Sequence, residues 1–200
     1  MSTREVSAVC TYWDPSGCEG TVGCPPRCPR AIDDRGVPFL VRPYRSTDFE
    51  ALVELYEGLD ESASTMGLPP FTRPRIEAWL DELTSIGWNL IASLDDRIVG
   101  HVAVTPADEP DPEFVVFVDT DAQNRGIGSE LLRQLIAYAD DRDHEALSLD
   151  VSTENRHAVT VYENVGFETI ERSQLNRTMR LPLDDPIADR VRRPPAERLE

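Results

Sequence analysis

The stretch that decides the fold runs from Glu113 to Tyr138, EFVVFVDTDAQNRGIGSELLRQLIAY. Phe114 to Val118 is a run of aromatic and β-branched residues, the composition of a strand. An acidic turn follows, then Gln123-Asn124-Arg125-Gly126-Ile127-Gly128-Ser129. From there Leu131, Leu132, Leu135, Ile136 and Tyr138 recur at helical spacing. A strand that enters a helix through two glycines offers unpaired main-chain N–H groups at the positive end of the helix, an arrangement that suits phosphate. Glycine matters there because a Cβ would obstruct the approach of a pyrophosphate to the main chain.

Working outward, the chain before this stretch reads as strand, helix, helix and hairpin. Phe39 to Pro43 is a short strand, placed at a sheet edge because Pro43 lacks a donor. Asp48 stands as N-cap before FEALVELYEGL, and Pro74 opens RIEAWLDELTSI. Trp88 to Leu94 and Arg97 to Thr105 form a hairpin about Asp95-Asp96. Downstream, Ala146 to Val151 is a strand and Arg156 to Val165 a helix ending at Gly166. Phe167 to Glu171 and Gln174 to Leu183 make a closing pair of strands. The order predicts an α/β (α+β) domain over residues 39–183, antiparallel first and parallel around the glycine turn.

Two flanking pieces differ from that domain. Residues 1–38 hold all four cysteines, Cys10, Cys18, Cys24 and Cys28, among prolines and glycines without periodicity. Their spacing, C-x7-C-x5-C-x3-C, leaves three readings open: a thiolate site for zinc, redox or disulfide pairing, and no special role. Residues 184–200, rich in proline, arginine and acids, read as a mobile appendage.

The formal net charge is −17, and all twenty basic residues are arginine. Acidic surface without lysine is what a protein of high-salt surroundings shows, because salt screens its self-repulsion. At ordinary ionic strength the charge argues against nucleic acid and anionic membranes as partners. With no apolar run near the ~20 residues of a membrane span and no signal-peptide pattern at the start, a cytoplasmic location is expected.

Gln123-x-x-Gly126-x-Gly128 at a strand–helix junction resembles motif A of the GCN5-related N-acetyltransferases (GNAT). Asn155 to Phe167, NRHAVTVYENVGF, resembles the same family's N-x-x-A-x-x-x-Y-x-x-x-G-F signature. The resemblance covers about Phe39 to Leu183. It implies a mixed sheet of six to seven strands, splayed between the fourth and fifth, flanked by about four helices. It also implies acetyl-CoA as cosubstrate. The backbone of Val116, Phe117 and Val118 would then pair with the pantetheine arm. The loop of Gln123, Asn124, Arg125, Gly126, Ile127, Gly128 and Ser129 would take the pyrophosphate, with Arg125 free to add a charge-assisted contact. Asn155 would reach the pantetheine, and Tyr162 would protonate the leaving thiolate. Taken without the family, Asn155 is a helix N-cap and Tyr162 a core aromatic.

Acetyl transfer needs a neutral amine, and a lysine is neutral in only about one molecule in 2,500 at pH 7. A positioned carboxylate therefore helps. Glu113 opens the strand before the glycine loop, and EFVVFVDTDAQ is similar to the corresponding run of protein lysine acetyltransferases of the Pat kind, whose glutamate at that position serves as base. Glu113 is the candidate, with Asp150 and Glu154 as alternatives and His101 as a core or surface histidine. The acceptor is a primary amine, with a protein lysine ahead of a small molecule. A non-catalytic acyl-CoA-binding module is the rival of a different class.

Overall fold

A computed structural model describes residues 14–59 and 69–198. Apolar runs build strands, the central ones buried on both faces, and these form one eight-stranded sheet. In chain order the strands are β1 (Arg30–Ile32), β2 (Pro38–Pro43), β3 (Trp88–Leu94), β4 (Arg97–Thr105), β5 (Glu113–Val118), β6 (Ala146–Ser152), β7 (Glu168–Arg172) and β8 (Asn176–Pro182). Across the sheet they lie β1-β2-β3-β4-β5-β6-β8-β7. The β3–β4 hairpin turns at Asp95 and Asp96, whose φ angles of 49° and 64° suit acids better than branched residues. Among these neighbours only β5 and β6 run parallel.

Helices cover both faces. α1 (Phe49–Glu57) and α2 (Arg73–Ile86) pack on Ile91, Ile98 and Ala103, and Arg73 joins them through Glu50 and Glu57. α3 (Ile127–Asp140) and α4 (Arg156–Asn164) cover the other face, against residues such as Leu90, Val102 and Phe114. α3 reaches the sheet closely because Gly100 has no side chain. A Cβ there would stand 2.7 Å from Leu131 Cδ1. Asp48 flanks α1 but does not cap it; its carboxylate accepts from Arg45 N and pairs with Arg42.

The expected count of six to seven strands and about four helices is exceeded because both flanking pieces contribute. β1 lies at the start of the sheet, before the predicted boundary at residue 39, and pairs with β2 from Pro38 to Leu40. So β2 is not an edge strand; Pro43 is tolerated because β1 has ended before it. The splay falls between β5 and β6, the fourth and fifth strands counted from β2. The stretch after Asp184, read from its composition as mobile, forms α5 (Pro186–Arg192), which buries Ala188 and Val191 against α3.

These two pieces meet over the outer face of α3. Arg27, 5% exposed, donates through Nε and Nη2 to both oxygens of Glu130 at 2.7 Å. Its Nη1 donates to the Val191 carbonyl of α5 at 2.6 Å. Gln134 donates to the Cys28 carbonyl, Ala196 N to the Cys18 carbonyl, and Arg192 pairs with Asp140 and Asp141.

Candidate active site

The two edges of β5 differ. Toward β4 it is paired along its length, from Glu113 with Thr105 to Val118 with Gly100. Toward β6 the register holds only Glu113 against Ser148. Beyond that point the strands part, leaving the edge of β5 open. Asp119 N donates to the Val99 carbonyl on the β4 side, so the alternation of an antiparallel ladder turns the main chain of Phe117 toward β4. By the same alternation the main chain of Val116 and Val118 faces the gap. Gln123 closes one of these groups: its Nε2 donates to the Val118 carbonyl at 3.1 Å.

At the end of β5 the chain turns through two residues in the left-handed region, Asn124 (φ 54°) and Gly126 (φ 78°), before α3 begins at Ile127. Among the described residues, the amides of Asn124, Arg125, Gly126, Ile127, Gly128 and Ser129 have no intramolecular acceptor. A Cβ at Gly128 would meet nothing closer than Val118 Cγ2 at 3.6 Å. Several free N–H groups at a helix start, with room over the backbone, fit a pyrophosphate.

Arg125 is placed otherwise than expected. Its Nε donates to Asp33 Oδ2 at 2.6 Å, its Nη2 pairs with the same oxygen, and its own carbonyl accepts from Asp34 N at 3.1 Å. The guanidinium is committed to the head rather than free for a ligand. Burial pushes the Asp33 carboxyl up, but hydrogen bonds from Val37, Arg125 and Arg35 outweigh this and hold it below the usual range. Asp34, next to it, has its carboxylate over Gly126. The sequence reading missed both acids, although Asp33-Asp34-Arg35-Gly36 is a turn signal that places them on a loop.

Asn155 caps α4, its Oδ1 accepting from Ala158 N at 3.1 Å. Tyr162, half-buried on α4, packs edge-on against Phe114 of β5 and Phe167. Burial raises the Tyr162 phenol well above its ordinary range, so it stays protonated. Its hydroxyl has no protein partner among the described residues. Phe114 belongs to the core on the α3 and α4 side, so strand alternation puts Glu113, exposed, on the α1 and α2 side with Val115 and Phe117. Glu113 and Tyr162, which packs from α4 on the next β5 residue, Phe114, thus lie on opposite faces of the sheet.

The alternatives separate clearly. His101 is fully buried, with Nε2 2.9 Å from Asn89 Oδ1 and Nδ1 2.6 Å from Tyr56 Oη. Asn89 Nδ2 donates to the Leu83 carbonyl, which fixes its Oδ1 as acceptor; His101 therefore donates from Nε2 and accepts at Nδ1 from Tyr56. Burial pushes the imidazole down to about 3. It is a neutral core histidine, as one of its two sequence readings had it. Asp150 accepts from Thr178, and Asp111 from Ser148 and Arg180. Glu154 is exposed beside the N-terminus of α4.

Zinc in the head finds no support. Cys10 lies outside the described residues. Among those described, no group of three or more His, Cys, Asp or Glu side chains could hold a metal. The backbone of the head is organised by Arg27, Asp33 and main-chain bonds to the tail. No helix of the described residues is long and apolar enough to cross a membrane.

Comparison with known proteins agrees with this geometry. Residues 52–167, more than half of the chain, match the Acetyltransferase (GNAT) family. The L-amino acid N-acetyltransferase AaaT of Escherichia coli is 26% identical over 64% of this chain and 82% of its own. Other curated N-acetyltransferases match over less than half of their length. The GNAT domain of the S. lividans PAT superposes with a TM-score of 0.65 at 21% identity, over 76% of this chain and 95% of that one. YncA from Salmonella typhimurium, a putative acetyltransferase solved with its cofactor acetyl-CoA, superposes with a TM-score of 0.60 at 18% identity, over 74% and 95%. With the splayed strands, the glycine loop and the signature on α4 in one fold, the chain belongs to the GNAT acetyltransferase family and is an N-acetyltransferase.

Proposed function

We propose that the protein transfers an acetyl group from acetyl-CoA to a primary amine on a protein lysine. The observation that carries the cofactor end is the open edge of β5 running into a glycine turn with free amides. Main-chain groups of Val116 and Val118 would hold the pantetheine arm, and the amides from Asn124 to Ser129 the pyrophosphate. Asn155 retains its Nδ2 for the same arm while its Oδ1 caps α4.

Acetyl-CoA supplies an activated thioester; the protein's own groups supply the proton transfers. Glu113, exposed on the acceptor side of β5, takes the proton of the incoming ammonium. The freed amine forms its bond to the thioester carbon and the carbon–sulfur bond breaks. Tyr162, kept protonated by burial, donates from Oη to the departing sulfur from the other face; the second proton, shed by the amide nitrogen, restores the phenol through solvent. His101 takes no part, because both of its nitrogens are engaged inside the core.

A lysine acceptor is favoured by the Pat-like placement of Glu113 at the head of the strand. The match to most of AaaT favours a second reading, a free amino acid. The lysine-free, acidic composition fits a high-salt environment. Glu113→Gln should lower kcat/KM about 100-fold at neutral pH, with partial recovery as pH rises and the amine loses its proton unaided. Equal rates for variant and wild type across pH would remove Glu113 from the mechanism. Calorimetric titration with acetyl-CoA tests the cofactor site itself, and a screen of lysine peptides against free amino acids decides the acceptor.

A further inference from the structure

We propose that two adjacent acids of the head, outside the family match, set the nucleotide end of the site in opposite directions. Asp33 is a positioning residue that fixes the phosphate loop, and Asp34 is an internal anion that weakens the loop's hold on a pyrophosphate. This rests on the reading that the loop from Asn124 to Ser129 takes the pyrophosphate of acetyl-CoA.

The loop needs left-handed backbone at Asn124 and again at Gly126. Such a conformation persists where surrounding contacts over-determine it. Arg125, between the two, is held at both ends by the head: its side chain by Asp33, its carbonyl by Asp34 N–H. Asp33 is itself fixed. Its side chain is fully buried in the ion pair with Arg125, and its Oδ1 accepts from Arg35 N at 2.9 Å and Val37 N at 2.7 Å. One buried carboxylate thus organises its own turn and ties that turn to the loop. Among the described residues Arg125 has no other ion-pair partner.

Asp34 has the opposite character. It is exposed, and among the described residues its carboxylate accepts no hydrogen bond. A Cβ built at Gly126 would stand 3.1 Å from its Oδ1 and 3.4 Å from its Oδ2. A negative charge therefore stands at the mouth of a loop whose free amides suit a negative ligand. Its effect on that ligand is Coulombic and solvent-exposed, so salt screens it. The effect of Asp33 is geometric and buried, so salt leaves it in place.

Asparagine separates the two roles. At residue 33 it keeps an Oδ1 for the Arg35 and Val37 amides but turns an amide donor toward the Arg125 guanidinium. At residue 34 it removes the charge and keeps the shape. Acetyl-CoA is titrated calorimetrically into the full chain in about 0.1 M and about 1 M KCl, with folding checked by thermal denaturation. Asp33→Asn should raise Kd about tenfold at both salts. Asp34→Asn should lower Kd about fivefold at low salt and leave it near wild type at high salt. For both, kcat at saturating acetyl-CoA and KM for the acceptor should stay at wild-type values. Arg125→Gln removes the same tie from the loop side and stands in if Asp33→Asn fails to fold. Variants that shift Kd in the same direction, or not at all, while the wild type binds overturn the inference. A wild type that does not bind acetyl-CoA overturns the proposed function, and this inference with it.

Discussion

The inner and outer faces of α3 are held by different physics. Inward, Leu131, Leu132, Leu135 and Ile136 are buried against the sheet, with no polar group to satisfy. Outward, Glu130 and Gln134 are just as buried, under the head and α5. There the contact is one buried bidentate ion pair, the more exposed pairing of Arg192 with Asp140 and Asp141, a few carbonyl bonds and two small apolar residues of α5. Even so, Gln134 Oε1 is buried without a partner among the described residues. Apolar packing loses energy in proportion to what is removed. A buried ion pair is worth little against an apolar substitute, yet costs much when half of it is taken away.

The largest effect should come from the inner face. Leu131→Ala opens a cavity where α3 touches Gly100, and should lower global stability by about 2–5 kcal/mol in chemical denaturation. A change below about 1 kcal/mol would mean that α3 is not seated on the sheet as described.

The outer face should respond locally. Arg27→Met takes the bidentate partner from a buried Glu130 and leaves it only Gln134 Nε2 at 3.2 Å and the more exposed Arg133 at 3.7 Å, a local cost toward the low end of about 3–5 kcal/mol. The head and tail can relieve that cost by lifting away while the sheet stays folded. Faster hydrogen exchange and proteolysis are expected in residues 14–29 and 186–198, with the main unfolding transition moved by less than about 1 kcal/mol. Adding Glu130→Leu should restore protection, because no uncompensated charge remains. If the double variant is as loose as the single, the ion pair supplies net stability rather than pairing specificity.

The same contrast explains what the sequence could disclose. The strands and α1 to α4 carry apolar periodicity, and their places emerged within a few residues of those observed. The glycine loop lies where its motif put it, between β5 and α3, and the second signature falls on α4; both serve acetyl-CoA in the proposed function. β1 and α5 stayed hidden because each is short and buries few apolar residues; what fixes them is a set of single pairings such as Arg27 with Glu130. Glu130 drew no attention in the sequence because nothing local says that a guanidinium 103 positions earlier covers it. For the same reason Arg125 seemed free for a phosphate, its partner Asp33 lying 92 positions away. Periodicity reports a face, and says nothing of a lone charge that finds its partner across the chain.

Acid should distinguish the regions again. The His101 imidazole sits at about 3 when folded against 6.5 in its ordinary state. Between those values the unfolded chain binds a proton that the native core excludes. Stability is therefore complete above 6.5 and falls by about 1.4 kcal/mol per pH unit below it. The tie at Asp33 behaves differently: its folded carboxyl lies below 3.8, so its contribution is lost only as pH falls under that value. Denaturation midpoints from pH 7 to pH 4.5, with exchange measured at the Asp33 turn, should show the domain weakening first and the turn holding. Midpoints flat over that range would mean that His101 protonates inside the fold.

Salt should produce the smallest effect. With a net charge of −17, raising KCl from about 0.1 M to about 1 M shortens the screening length from ~10 Å to ~3 Å and relieves self-repulsion over the whole surface. Stability should rise by about 1 kcal/mol. The Arg27–Glu130 pair, shielded from ions by the head and tail, should not weaken in return. Exchange protection at residues 14–29 should hold or increase with salt. Protection that falls as salt rises would show that ions reach this pair, and the outer face of α3 would then behave as an ordinary exposed surface rather than as a sealed one.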